Sequence, residues 1–145
     1  MSSAATDEPF ELQRFVAAQE PVYPQVTAEL AAGAKTSHWM WFIFPQLREL
    51  GRSSTAKHYG IGSLAEAQAY AQHALLGTRL RHCCGLLMAV QGRSALQVFG
   101  PIDALKLRSC LTLFECALPH EPLFGQLLDK YCHGERDAAT LQLLG

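Results

Sequence analysis

Apolar residues recur along this chain at intervals of three and four, the spacing that gathers them on one face of an α-helix. Leu12, Phe15, Val16 and Gln19 trace a first stripe, with Asp7 as its N-cap and Glu8 and Pro9 in its first turn. Pro21 opens a second, in which Val22, Tyr23, Val26 and Leu30 share a face before Gly33 stops it. Ser63-Leu64-Ala65-Glu66 has the form of a capping box ahead of an Ala-rich helix to about His73. Leu80, Cys83, Cys84, Leu87 and Gln91 mark the clearest amphipathic helix, stopped by Gly92. A turn starting at Ser94 runs to Gly100-Pro101, and Asp103 then caps a helix carrying Leu107, Cys110, Leu111, Phe114 and Leu118, bounded by Pro119. Leu123, Phe124, Leu127, Leu128 and Tyr131 form the next stripe, up to Gly134, and Asp137 caps a last short helix with Leu141 and Leu144. The expected fold is all-α: a single compact domain of about eight short helices without a sheet, over residues 7–145, behind a loose tail over 1–6.

The stretch from Ser37 to Tyr59 interrupts this rhythm. It holds both tryptophans, and Trp39 to Phe44 is an apolar block that runs straight into Pro45. The block has strand-like composition but neither alternation nor a partner strand, so the better fit is a short helix capped by Ser37 and ending near Phe44, because proline disfavours helix in the residue before it. Pro45 then opens a further turn through Gln46, Leu47 and Leu50 to Gly51, and Ser53 or Ser54 caps another that closes at Tyr59-Gly60.

Composition narrows the function classes. The chain has 145 residues, the usual size of one domain, with ordinary globular hydrophobicity. No stretch has the apolar length of a membrane span, and Met1 to Glu8 lacks the basic start of a signal peptide, so a cytoplasmic protein is expected. Five cysteines, an odd number with no CxxC pair, read as reduced thiols filling the core rather than as disulfides or a metal site. The net charge of -1 hides an uneven distribution: residues 1–33 sum to -4, residues 34–114 to +6 and residues 115–145 to -3. An electropositive middle suits a small anionic ligand, whereas the absence of a Lys/Arg run, a recognised motif and a high pI argues against nucleic acid.

Taken together, Leu12-Gln13-Arg14-Phe15-Val16, Ala18-Gln19, the Ser37-to-Leu47 block, Gly51-Arg52-Ser53, Ala65-Glu66-Ala67, Ala69-Tyr70 and the residues Asp103, Leu105, Lys106, Leu107 and Ser109 resemble a bacterial family of uncharacterised proteins, domain of unknown function family 1810. The resemblance covers nearly the whole chain. It implies a compact all-helical fold and no established activity. The chain departs from the expected family pattern at Cys110-Leu111, where Ser and Met are expected.

Candidate chemistry concentrates around the tryptophan block. Trp39 and Trp41 are two apart, so on a helix they point in roughly opposite directions: one is expected to bury and the other to line a cleft, where an indole can stack on a base. His38 is a candidate general acid or base, with capping as its plain alternative. Arg52 and Ser53 in Gly51-Arg52-Ser53-Ser54 could cradle an anion at a helix start, or simply make a Ser-capped turn. Asp103, Lys106 and Ser109 are spaced by three along one helix face, where Asp103 could handle a proton and Lys106 hold phosphate, or the pair could be a surface ion pair. With Gln46 and Tyr59 added as ligand-binding residues, the leading expectation is a cleft beside this block that binds, and could hydrolyse, a nucleotide- or ADP-ribose-like anion, with no metal and no cofactor. The rival is a non-catalytic module that docks another protein or a second copy of itself.

Overall fold

A computed structural model of the chain describes residues 9–145, so the Asp7 cap and the tail over 1–6 lie outside the described residues. The helices are α1 (Gln13–Gln19), α2 (Tyr23–Ala32), α3 (Met40–Ile43), α4 (Ser54–His58), α5 (Leu64–Gln72), α6 (Ala74–Ala89), α7 (Ala95–Ala117), α8 (Leu123–Cys132) and α9 (Ala138–Leu144). A 3-10 turn spans Arg48–Leu50. The fold is all-α: among the described residues one isolated parallel bridge, Leu47 to Ile61, is the nearest approach to a sheet.

The second half of α7 is the spine. Leu107, Cys110, Leu111, Leu113 and Phe114 are fully buried there, and α7 packs against α5, α8 and α9. Helix α6 packs against α2, α5 and α8, burying Leu76, Leu80, Cys83, Cys84 and Leu87. Most termini follow the expected chemistry. Gly33 takes the left-handed conformation, φ 69°, that ends α2; Ser94 and Gln97 form a reciprocal capping box; the Asp137 carboxylate accepts from the Thr140 amide at 2.9 Å.

Three expectations about caps are corrected. Ser37 does not cap the central helix: α3 starts at Met40 with Trp39 in the cap position, and the Ser37 hydroxyl is spent on Glu29. Asp103 is not a cap either, because α7 runs from Ala95 through a kink at Gly100, φ 81°, and Pro101 restarts it, leaving Asp103 inside the helix. The Ser63 box is half made. Ser63 accepts from the Glu66 amide at 3.1 Å, but Glu66 turns its carboxylate to the Gly62 amide and to Arg14. One cap went unforeseen, His73, whose Nδ1 accepts from the Leu75 and Leu76 amides at the start of α6.

The tryptophan block is anchored by a buried carboxylate. Glu29, on α2, accepts hydrogen bonds from the amides of Thr36 (2.8 Å) and Ser37 (3.0 Å), the Ser37 hydroxyl, Trp39 Nε1 (2.9 Å) and Gln25 Nε2 (2.7 Å). Burial alone would raise its pKa, but the bonds from Ser37, Gln25, Thr36 and Trp39 outweigh that and hold it well below the usual carboxylate range. Because the folded-state pKa lies below the unfolded one, the stability Glu29 contributes is full above the ordinary value of about 4.5 and is lost as pH falls below it. Glu29→Gln is therefore expected to cost about 2 kcal/mol at neutral pH. Urea unfolding should also show the variant losing less stability than the parent between about pH 5 and pH 3; equal acid sensitivity would rule out this role for Glu29.

Candidate functional site

The polar residues singled out around the tryptophans divide into two groups. Trp39 is a core residue, 1% exposed, with its indole N–H committed to Glu29, so it is not available to stack a ligand. Trp41 is half-buried, and Lys106 Nζ lies 5.1 Å from its ring centroid. Asp103 pairs with Lys106 at 3.8 Å, as its spacing of three allows, but its closer partner is Lys35 at 2.8 Å. Lys35 also donates to the Ser37 carbonyl at 2.6 Å and lies 5.0 Å from the Trp39 ring. Thus Trp39, Trp41, Asp103 and Lys106 do come together, through a lysine that sequence reasoning did not single out. Ser109 is not part of the polar row, because its hydroxyl is buried and donates to the Leu105 carbonyl within the helix.

The remaining candidates lie apart from that group. His38 and Arg52 are exposed, and neither makes a hydrogen bond or ion pair among the described residues. Ser53 caps α4, accepting from the Ala56 amide at 3.1 Å. Tyr59 packs against Phe42, Phe15 and His58, with ring centroids 5.3, 6.1 and 4.6 Å away. Gln46 contributes its carbonyl to the bridge, accepting from the Ile61 amide at 2.9 Å.

A polar depression of about 570 Å³ opens where α1, the 3-10 turn, the end of α4 and the start of α5 meet, lined by Arg14, Arg48, Lys57, His58, Ser63 and Glu66 among others. Arg14 forms its floor. It donates to Glu66 Oε2 at 2.7 Å and to the carbonyls of His58 (2.8 Å) and Gly60 (2.9 Å), so its guanidinium is consumed by the fold. Gly60 permits the close approach that shapes this wall, since a Cβ there would sit 2.3 Å from the Arg48 Cα. Arg48 makes one long bond, 3.4 Å to the Gly60 carbonyl. Lys57 makes none among the described residues, and no carboxylate pairs with either. Two cations, a histidine and the unpaired carboxylate of Glu11 thus line the depression beside the neutralised Arg14–Glu66 pair. Sequence reasoning missed this depression. One signal was present: Arg14 is the lone basic side chain among the first 33 residues, set in otherwise acidic sequence.

The thiols offer no nucleophile. Burial pushes Cys83 up to about 12 and likewise raises Cys84 and Cys110 well above the ordinary thiol range. Cys110 is fully buried in the core, so the expected Ser-to-Cys departure from the family falls on a packing position. Among the described residues no three of His, Cys, Asp or Glu gather as metal ligands would, and no helix is long and apolar enough to cross a membrane.

Over residues 9–144 the chain matches the family model described as protein of unknown function, DUF1810. The chain belongs to the DUF1810 family. A crystal structure titled as the conserved hypothetical protein Rv1873 from Mycobacterium tuberculosis is similar to it at 57% identity and a TM-score of 0.93, covering 94% of this chain and 98% of that one. No curated protein matches. Within this DUF1810 chain the Arg14–Glu66 pair is structural and Lys57 is not. Arg14→Ala, which leaves a buried carboxylate unpaired, is expected to cost about 3 kcal/mol or more, while Lys57→Ala stays within about 0.5 kcal/mol of the parent. Chemical denaturation of the two variants checks this, and equal effects would refute it.

Proposed function

We propose that the protein binds a small phosphate-bearing anion, up to nucleotide size, in the depression between α1 and the start of α5. The observation that carries this reading is that Arg48 and Lys57 both line it without a carboxylate partner, so that the lining stays net positive after the Arg14–Glu66 pair and the Glu11 carboxylate are counted. The depression's volume is within the ordinary range of small-molecule sites. Phe10 and His58 add ring surfaces to the lining. If turnover accompanies binding, His58 is the group placed to move a proton, since its ring makes no hydrogen bond among the described residues. Five free cysteines suit a reducing compartment such as a bacterial cytoplasm.

Calorimetric titration with pyrophosphate, ADP and ADP-ribose tests the reading. Saturable binding is expected to weaken roughly tenfold or more in the Arg48→Ala, Lys57→Ala double variant and to weaken with added salt. Binding that survives the double variant, or no binding of any of the three, would end it. The second case would favour the rival interaction module, for which Leu96, Ile102 and Leu105 on α7 are exposed at 59%, 69% and 58%.

A further inference from the structure

Five arginines among the described residues are half-withdrawn from solvent: Arg14, Arg79, Arg81, Arg108 and Arg136. Four of them meet a carboxylate, Arg14 with Glu66, Arg79 with Glu20, Arg81 with Glu121 and Arg136 with Glu115. Arg108 does not. Its Nε is buried without a hydrogen-bond partner, and its side chain makes no hydrogen bond or ion pair among the described residues. A guanidinium so placed is costly unless an anion completes it.

Arg108 lines a cleft of about 170 Å³ between α7 and the end of α8, whose walls include Ala104, Leu105, Tyr131 and Cys132. The Tyr131 hydroxyl is already committed, donating to the Leu87 carbonyl at 2.7 Å. Burial keeps the Cys132 thiol protonated. Arg108 is therefore the permanently charged donor of the cleft, which His133 also lines. Glu135 also lines it, without pairing to Arg108, and its charge disfavours a dianion such as phosphate.

We propose that this cleft binds the carboxylate of a small aliphatic acid, with Arg108 as the counter-charge and the Ala104, Leu105 and Tyr131 walls against the alkyl chain. At about 170 Å³ the cleft is smaller than the ordinary range of small-molecule sites, which limits its occupant to a short alkyl chain beyond the carboxylate. That suits a free short-chain acid or the C-terminal residue of a peptide, which present the same carboxylate and alkyl chemistry.

The test is a titration of the ¹⁵N-labelled protein, followed by NMR, with pentanoate, pentanamide, and N-acetyl-Ala-Leu as the free acid and as the amide. Saturable shifts around residues 104–108 and 131–135 are expected with the acids, and binding roughly tenfold or more weaker with the amides. Arg108→Met, which removes no hydrogen bond or ion pair of the guanidinium among the described residues, is expected to melt no lower than the parent and to lose the response. A peptide acid that saturates well below pentanoate would identify a chain terminus as the source, and similar saturation would identify the free acid; either supports the proposal. Amides binding as well as acids, undiminished binding to Arg108→Met, or no saturable shift with any probe would overturn it. Should the variant fail to fold, the acid-against-amide contrast on the parent decides.

Discussion

A carboxylate withdrawn from water must be surrounded by donors, and Glu29 obtains most of its donors from outside its own helix. Gln25 lies one turn back on α2, but Thr36, Ser37 and Trp39 belong to the connection beyond Gly33. That requirement fixes the path of a segment with no regular structure and seats the Trp39 indole in the core. The tryptophan block then has one orientation available. Gln19 does similar work nearby: its amide donates to the Phe42 carbonyl at 2.7 Å and to Tyr70 at 3.0 Å, joining α1, α3 and α5 in the interior. Two buried polar side chains thus organise an aromatic cluster that composition alone would assign to hydrophobic collapse.

Charge follows a comparable logic on a larger scale. The acidic ends of the chain fold back on its basic middle, Glu20 onto Arg79 and Glu121 onto Arg81. Much of the positive excess of the middle segment is therefore answered within the molecule, and what matters for binding is the residue left over. Of the cations without a carboxylate, those that line a cavity are Arg48 and Lys57 on one side and Arg108 on another. The two remainders differ in kind, since the first faces a wide polar depression and the second a narrow apolar-walled cleft.

The fold was largely legible in the sequence because helix periodicity and caps are local signals. Gly33, Ser53, Ser94 and Asp137 act where their residue types indicate. Asp103 misled because an aspartate shortly after a proline has the form of a cap, while Pro101 itself was already the start of the helix. The candidate site was less legible. Trp39 was one of two tryptophans expected to split between core and cleft, and its partner Glu29, ten residues earlier, carries no motif. Arg14 and Glu66 are 52 residues apart, so neither spacing nor local charge could reveal that they meet. Pairings of this sort are decided by how helices pack, which is non-local.

Lys35 shows how tightly local shape and distant packing are joined. Its backbone amide donates to the Val98 carbonyl at 2.8 Å, before the Gly100 kink, and its ammonium pairs with Asp103 beyond it. One residue from the connection after α2 therefore acts as a strut across the bend of α7. The hinge in the longest helix is braced from outside by the same segment that Glu29 secures. Any motion that straightened α7 would have to pull on the tryptophan block, so these two parts of the molecule form a single mechanical unit although about 50 residues of chain separate them.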